Sequence, residues 1–449
     1  MRIGGTPGLL VALLAAGCQD GQGPLAPAAA VLIGAVPGPL VPGDSVQLSA
    51  YVVDDAGDTL HGRVVVWASS DPDVAQVSTT GLVTMLGSGT ADISAASEAV
   101  AGSVTVEGIA PFHAASLSLG SSQTCAIDTA GASWCWGYNY SGSLGLGLIH
   151  GSFPLPVRQQ AGPIAAIEVG VQHGCNLAGN GAIACWGSNT FGEVGDSTIQ
   201  PRLLPVPVKG AGGYSAIAAG YWSSCGLQAG GWWCWGSITG TRVPSQVSAG
   251  PFVAVAMGLG HACALAPDGA AFCRGGNFKG QLGDGGNGSS SVPVAVAGGH
   301  HFAQVELGDE HSCAVDSLGG AWCWGLNSSG QLGDGTQQDR STPVAVAGLP
   351  AVFQVSAGSA HTCALAASGQ AWCWGMNYAG ALGDGTAQDR VQPVPSAGAL
   401  RFTRLVAGGG HTCGITPTGR LYCWGFNANG QLGDGSTTDR LTPVPVHAR

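Results

Sequence analysis

The sequence has few basic residues. Lysine and arginine account for only 15 of the 449 residues, against 26 aspartates and glutamates, which gives a formal net charge of −11. The basic residues form no run anywhere along the chain. Because proteins that bind nucleic acids present concentrated positive charge to the phosphates, we expect no DNA or RNA partner.

Helical periodicity and catalytic motifs are missing as well. No segment repeats its apolar residues with the period of an α-helix, so we expect an all-β protein. A Ser/His/Asp nucleophile context, a phosphate-binding loop and a pair of catalytic carboxylates cannot be distinguished from a repeated pattern that fills most of the chain. We therefore expect a protein that is not an enzyme and uses no cofactor.

Cysteine, by contrast, is regularly spaced. Fourteen of the 15 cysteines form seven pairs, each at the same place in a repeated unit. The pairs are Cys125 with Cys135, Cys175 with Cys185, Cys225 with Cys234, Cys263 with Cys273, Cys313 with Cys323, Cys363 with Cys373 and Cys413 with Cys423. The first cysteines are 50 residues apart, except for a 38-residue step between Cys225 and Cys263. Such a period is typical of propellers and other repeat arrays.

Each unit contains four short apolar, β-branched or aromatic runs separated by turn residues, for example 342–346, 351–358, 361–365 and 371–375. Four strands make one propeller blade, so seven units predict a seven-bladed β-propeller over residues 112–449. A solenoid of sheets is the structural alternative, but the chain ends argue against it. The first unit lacks a P-V-x-V run before it, and Thr442–Val446 supplies a spare one at the end. We expect this strand to complete the first blade and close the ring.

The spacing within each pair predicts a hairpin. Nine residues separate the cysteines in six units, which leaves a three-residue loop with glycine third when the cysteines face each other. In the third unit, eight residues separate the two cysteines, which leaves the two-residue loop Ala229-Gly230. Facing cysteines lie within disulfide reach, so we expect seven disulfides and an oxidising compartment. Fourteen buried free thiols are the alternative, and a metal site is less favoured because each unit offers only two sulfurs.

Residues 1–17 have the pattern of a signal peptide, whose apolar run Leu9–Ala16 is too short to span a bilayer. Ala16 and Gly17 before Cys18 resemble the lipobox of bacterial lipoproteins, in which the cysteine is lipidated. This resemblance implies a lipid anchor on Cys18, and the alternative is a secreted protein with a stray thiol. Residues 18–30 are rich in Gly, Pro and Ala and are expected to form a flexible tether.

Residues 31–108 contain no cysteine, and their alternating apolar segments predict a small β-sandwich. The run W-A-S-S-D-P-D-V-A-Q-V-S-T-T-G-L-V within them resembles bacterial immunoglobulin-like domains of group 2. That resemblance implies an Ig-like domain that serves as a spacer or an adhesive module on a bacterial surface.

The repeated motifs G-x-x-H-T-C-A-L, W-G-x-N-x-x-G-Q-L-G-D-G-T and T-P-V-x-V resemble repeats of the regulator of chromosome condensation family over residues 112–446. This resemblance implies a seven-bladed propeller whose loops bind other proteins. The nucleotide-exchange and chromatin roles of the family's founder are not expected here, because the chain is acidic and carries an export signal.

Two sets of repeated polar residues have structural interpretations. Histidines stand two residues before five of the first cysteines, at His173, His261, His311, His361 and His411. A metal ring is conceivable, but Gln123 and Ser223 fill the same place in the other units, so we expect hydrogen bonds instead. The G-D-G-T-x-x-D-R loops could hold calcium, yet turn-capping aspartates and a local ion pair are favoured.

The remaining candidates are residues at which a unit departs from its own pattern. They are Tyr138, Tyr140, Tyr221, Trp222, Trp232, Arg274, Asp309 and Glu310. Aromatic side chains on the turns of a rigid ring are typical anchors for a protein partner, and neutral drift is the alternative. The sequence thus favours a non-enzymatic protein-binding scaffold, lipid-anchored in the bacterial cell envelope, at the outer membrane or cell surface. A propeller hydrolase or lyase with a site at the central channel and a purely structural envelope component are the alternative functions.

Overall fold

The computed structural model describes residues 26–36, 38–159, 163–210 and 212–448. Every regular element in these ranges is a β-strand, which confirms the predicted all-β class. The described residues accordingly contain no helix long and apolar enough to cross a membrane. The signal peptide and Cys18 lie outside them. The chain divides into two compact units, the first formed by residues 26–36, 43–86 and 90–106, the second by 38–42, 87–89 and 107–448.

The first unit has the short strands and alternating burial of a β-sandwich. Its three sheets pair Ala30–Ile33 with Ala50–Val53, join Ser45–Gln47, Leu82–Met85 and Ala75–Val77, and join Val66–Ser69, Gly89–Ser97 and Val100–Gly108. Val31, Val52 and Ala95 are buried in its core, with Trp67 packed against them. This arrangement fits the predicted Ig-like domain.

The second unit contains seven four-stranded antiparallel sheets, each built from four consecutive strands. The first strands are Ala114–Leu119, Ala166–Val169, Tyr214–Ala219, Ala254–Met257, Phe302–Leu307, Val352–Ala357 and Arg404–Ala407. The second strands are Gln123–Asp128, His173–Leu177, Ser223–Gln228, His261–Leu265, His311–Asp316, His361–Ala366 and His411–Ile415. The third strands are Ser133–Tyr138, Ile183–Gly187, Gly231–Gly236, Ala271–Gly275, Ala321–Gly325, Ala371–Gly375 and Leu421–Gly425. The fourth strands are Ser152–Arg158, Arg202–Pro207, Thr241–Ser248, Ser290–Ala295, Arg340–Ala345, Arg390–Pro395 and Arg440–Pro445.

These sheets are the blades of a closed ring, which confirms the predicted seven-bladed propeller. Each first strand contacts the first strand of the next blade, and that of the seventh blade contacts that of the first. Hydrophobic clusters form between neighbouring blades: Cys363 and Leu365 of blade six, for example, pack with Phe402 and Trp424 of blade seven. The core is therefore divided into layers between blades.

The expected closure by Thr442–Val446 is wrong. Arg440–Pro445 pairs with the third strand of its own blade, where Val444 lies opposite Cys423. The first blade has a fourth strand of its own, Ser152–Arg158, which contains the P-V run 156–157. Each blade therefore begins at its innermost strand. This strand comes one strand later in the chain than the start of the repeated unit that was assumed from the sequence. A smaller contact joins the ends, because Ala110–Pro111 pairs with His447–Ala448.

The hairpins have the predicted register. All seven cysteine pairs face each other and are joined by disulfides, with Cα–Cα distances of 4.0–4.1 Å. In the first blade the loop after Asp128 ends at Gly131, whose φ of +84° places it in the left-handed region. In the third blade Gln228 faces Gly231, and both loop residues have positive φ, +50° at Ala229 and +77° at Gly230. The loop length thus selects the turn and leaves the cysteines opposite each other.

Candidate functional site

The propeller has two different faces. Because neighbouring strands of a blade are antiparallel, the turns between first and second strands emerge at the same end as the loops between third and fourth strands. The hairpins between second and third strands emerge at the opposite end. We refer to these ends as the long-loop face and the hairpin face.

Hydrogen bonds within each long loop hold it rigid. In blade five, Asn327 Nδ2 donates to Asp334 Oδ1 (3.1 Å), and Arg340 pairs with the other oxygen of Asp334 (2.8 Å). Asp339 accepts a hydrogen bond from the backbone N–H of Asn327 (2.8 Å). Burial raises the pKa of Asp334, but hydrogen bonds from Thr336 and Arg340 outweigh it and hold the pKa below its usual value. The aspartates therefore order the loops, as the turn-capping interpretation predicts.

The five repeated histidines connect neighbouring blades. Their Nε2 atoms lie 2.8–3.0 Å from a buried Ser or Thr hydroxyl of the next blade. That hydroxyl donates to a backbone carbonyl in a long loop, as Thr362 does to Gln331 (2.8 Å). Since the hydroxyl proton is used in this way, His311 Nε2 must carry a proton and donate to Thr362. The histidines have the hydrogen-bonding role expected from the sequence.

Most of the candidate binding residues lie on the long-loop face. Tyr138 and Tyr140 are exposed there, with stacked rings whose centroids are 6.3 Å apart. Trp222 is 38% exposed and contacts Tyr221 edge-on (4.2 Å between centroids) and Phe191 (5.1 Å).

The acidic candidates Asp309 and Glu310 are half-buried in the first turn of blade five, on the same face. Burial raises the pKa of Asp309. Asp309 and Tyr221 both line the mouth of the central channel. The long-loop face thus gathers off-pattern residues from blades one, three and five.

Trp232 does not belong to this surface, which corrects the sequence-based candidate. Its side chain is fully buried, and it packs edge-on against Phe252 with 5.8 Å between ring centroids. Trp232 stands two residues before Cys234, so it points to the same side of the strand as the disulfide. This alternation of side chains along the strand is the sequence signal that could have identified Trp232 as a core residue.

Sequence reasoning missed further aromatic and sulfur-containing side chains on the long-loop face. Phe278 is 78% exposed and Tyr378 is 64% exposed, and Phe191 and Met376 are exposed as well. Phe278 and Tyr378 directly follow the asparagine that anchors each long loop. Their common position directly after the asparagine of the G-x-N motif could have identified them.

Arg274 and Trp222 meet in a groove between blades three and four. This groove has a volume of about 590 Å³ and is also lined by Ile238, Met257 and Leu259. It opens where blade three has only residues 237–240 between its third and fourth strands. The two candidates, recognised separately in the sequence, therefore meet beside this short connection.

The central channel holds a second group that sequence reasoning missed. Glu168, Glu306 and Arg404 lie on first strands of three different blades and interact electrostatically. Burial raises the pKa of Glu168 to about 7, although Arg404 lowers it and Glu306 raises it further. Burial also raises the pKa of Glu306 to about 6. The channel mouth next to this cluster encloses only about 80 Å³.

The sequence patterns of known families match both units. The regulator of chromosome condensation (RCC1) repeat matches residues 268–315, 319–365, 368–415 and 418–448, and a second pattern for the same repeat matches 252–281, 302–331, 354–381 and 402–431. The bacterial Ig-like domain (group 2) matches residues 39–107. Blades one to three lie outside the repeat matches but have the same strands and disulfides. A comparison with curated protein sequences finds no match.

Solved structures share the propeller fold. Human WBSCR16 is 21% identical, with a TM-score of 0.65 over 70% of this chain and 93% of its own. Yeast RCC1 (Prp20) bound to Kap60 is also 21% identical, with a TM-score of 0.62 over 75% of this chain and 85% of its own. At this identity the likeness establishes the fold alone. The chain therefore carries regulator of chromosome condensation repeats in its propeller and a group 2 bacterial Ig-like domain before it.

Proposed function

We propose that this is a non-enzymatic binding protein whose long-loop face binds a protein partner. The exposed aromatic side chains of that face carry the proposal: Tyr138, Tyr140, Trp222, Phe278 and Tyr378 all lie there. Aromatic residues are enriched among the energetically dominant residues of protein interfaces. Rigid loops reduce the entropy that would be lost on binding.

Related folds give independent support. Prp20p of Saccharomyces cerevisiae, which has this propeller fold, was characterised for its binding to Gsp1p and histones. Those partners are not proposed for this chain, because its seven disulfides and its bacterial Ig-like domain indicate an extracytoplasmic protein.

The main alternative, an enzyme with its site in the central channel, is less well supported. Glu168, Glu306 and Arg404 are the off-pattern polar cluster that such an enzyme would need. However, the space of about 80 Å³ at the channel mouth is well below the roughly 300–1,000 Å³ of ligand sites. The long-loop face therefore remains the preferred binding surface.

Crosslinking in intact cells of the source organism, followed by mass spectrometry, tests the binding face. Replacing both Tyr221 and Trp222 with alanine should reduce partner capture by well over thirtyfold, because anchors of this kind contribute about 2 kcal/mol or more each, which is roughly thirtyfold for a single residue. The melting temperature should stay unchanged, since Trp222 is exposed and Tyr221 is only half-buried.

A matched variant with Leu318 and Phe353 replaced by alanine removes exposed apolar side chains from the hairpin face instead. It should capture the partner at full strength. Loss of capture only in this control would place the interface on the opposite face. Recovery of no partner from any variant would favour a purely structural envelope component.

We further propose that Cys18 is lipidated and anchors the protein in the cell envelope, at the outer membrane or cell surface. Several acyl chains on one cysteine give firm anchoring, because each buried CH₂ contributes about 0.8 kcal/mol. Mass spectrometry of the native N-terminus should find an acylated Cys18, and Cys18→Ser should release the protein from the membrane fraction. An unmodified peptide that spans Gly17 and Cys18 would contradict the anchor.

A further inference from the structure

The groove between blades three and four exists because one loop is missing. In the other six blades, the third-strand tryptophan donates its Nε1–H to a carbonyl in the long loop of the preceding blade, at 2.8–3.0 Å. Blade three has no such long loop, and only the short connection 237–240 lies beside blade four. Arg274 occupies the position of the tryptophan in blade four. Loop and tryptophan are thus replaced together.

Arg274 is an unusual residue to find in such a place. It is only 8% exposed, and its terminal nitrogen donates to the carbonyl of Ile238 (3.1 Å). Its Nε is buried and has no hydrogen-bond partner among the described residues. Burial lowers the pKa of Arg274, and none of the described residues that line the groove is a carboxylate that would oppose this effect. A buried guanidinium without a counter-ion has unused capacity to bind an anion.

The rest of the groove is suited to an apolar group. Trp222, Ile238, Met257 and Leu259 supply apolar walls, and Ser289–Ser291 supply hydroxyls at one side. Its volume of about 590 Å³ falls within the range of roughly 300–1,000 Å³ for ligand sites. A cation set against apolar walls selects a ligand that combines negative charge with an apolar body.

We propose that this groove binds an organic carboxylate with an apolar body, whose carboxylate pairs with the guanidinium of Arg274. Arginine is the residue best matched to a carboxylate, because its planar fork can donate two parallel hydrogen bonds. The ligand is a free organic acid or a carboxylate of a bound peptide, since both present the same chemistry. Trp222 belongs both to this groove and to the protein-binding face, but the preference of Arg274 for a carboxylate can be tested without a protein partner.

Calorimetric titration of the purified protein tests this site with matched probes. The probes are 4-phenylbutyrate, its amide 4-phenylbutyramide and acetate. 4-Phenylbutyrate should bind about tenfold or more tightly than the amide, because only the acid forms a charge-assisted hydrogen bond with Arg274. It should also bind more tightly than acetate, which lacks the apolar body. Equal binding of acid and amide, or of acid and acetate as an adventitious anion only, overturns the proposal.

Variants connect the binding to the residue. Arg274→Gln should lose the preference for acid over amide, and Arg274→Lys should recover part of it. Arg401→Gln removes a guanidinium from the hairpin face and should leave the preference unchanged. If Arg274→Gln fails to fold, the comparison of acid with amide in the unaltered protein still decides the matter. An unchanged preference in Arg274→Gln overturns the proposal.

A second arm distinguishes the two sources of the carboxylate. Acetyl-phenylalanyl-leucine with a free C-terminus is compared with the same peptide carrying a C-terminal amide. Tighter binding of the peptide acid than of 4-phenylbutyrate indicates that a partner's carboxylate is the ligand. Binding of 4-phenylbutyrate alone indicates a free organic acid. Failure of both acids to bind overturns the proposal, and it does so without bearing on the crosslinking result.

Discussion

Five buried histidines, one in each of five blades, are held in the neutral form. Burial lowers the pKa of His173, His261 and His361 to about 4. It lowers the pKa of His311 and His411 to about 3, and the neighbouring histidines contribute to the shift. In the unfolded chain each histidine regains a pKa near 6.5. The unfolded state therefore binds more protons than the folded state between these values.

This difference predicts that the free energy of unfolding falls as the pH is lowered from about 6.5 to about 4. His361→Gln removes one of the titrating groups and has a precedent in Gln123 of blade one, which donates to the Gly170 carbonyl (2.9 Å). This substitution should make the slope of the free energy of unfolding against pH shallower by up to about 1.4 kcal/mol per pH unit. Chemical denaturation at several pH values measures the slope.

Glu168→Gln serves as a control with the opposite sign. Because the folded protein raises the pKa of Glu168 to about 7, this carboxyl group lowers stability as the pH rises from about 4.5 to 7. Its removal should steepen the slope in that window. Identical slopes in the unaltered protein and in His361→Gln would contradict the assignment of the neutral form.

At the scale of single elements, the hairpins show which features a sequence can determine. Glycine at the third loop position and the one-residue deletion at Ala229-Gly230 predicted both turn classes and the facing cysteines. The strand at which each blade begins was not predictable in the same way, because a repeated sequence does not show where its structural unit starts. The groove was also unpredictable. Arg274 and Trp222 are far apart in sequence and come together only because blades three and four pack side by side in the ring.

The two-residue turn of blade three gives an element-scale prediction. Ala229 has a φ of +50°, a region that costs a residue with a Cβ roughly 1 kcal/mol relative to glycine. Ala229→Gly should therefore stabilise the protein by up to about 1 kcal/mol, measured as a rise in melting temperature.

Ala130→Gly provides the matched comparison in the hairpin loop of blade one. Ala130 is exposed and is not among the residues with positive φ, so the added backbone freedom should destabilise the protein slightly. Stabilisation by both substitutions, or by neither, would show that the turn conformation of Ala229 is not under strain.

At the scale of the whole molecule, the ring is closed by the same contacts that join consecutive blades. His411 of blade seven bonds to Thr124 of blade one (2.8 Å), and Trp136 donates to the carbonyl of Gln431 (3.0 Å). The chain ends add a short pairing, and the N–H of Phe112 donates to the carbonyl of Val446 (2.8 Å). Closure thus depends on blade packing more than on an exchanged strand.

Two truncations separate these contributions. Deletion of residues 447–449 removes the short pairing and the hydrogen bond from the N–H of His447 to the carbonyl of Gly433 (3.0 Å). It should cost about 1–2 kcal/mol. Deletion of residues 441–449 also removes the fourth strand of blade seven and buried Val446, and it leaves a strand edge exposed. It should lower the melting temperature further and promote aggregation. Equal melting temperatures for the two truncated proteins would contradict this division.

The pairing of Ala110–Pro111 with His447–Ala448 also has a consequence for how the propeller could be re-engineered. It brings the two ends of the ring side by side, and every blade is built from consecutive strands stapled by its own disulfide. A circular permutant, with these ends fused and new termini opened between any two blades, would keep each blade whole. The fold of the propeller therefore depends on the order of the blades around the ring and not on which blade comes first in the chain.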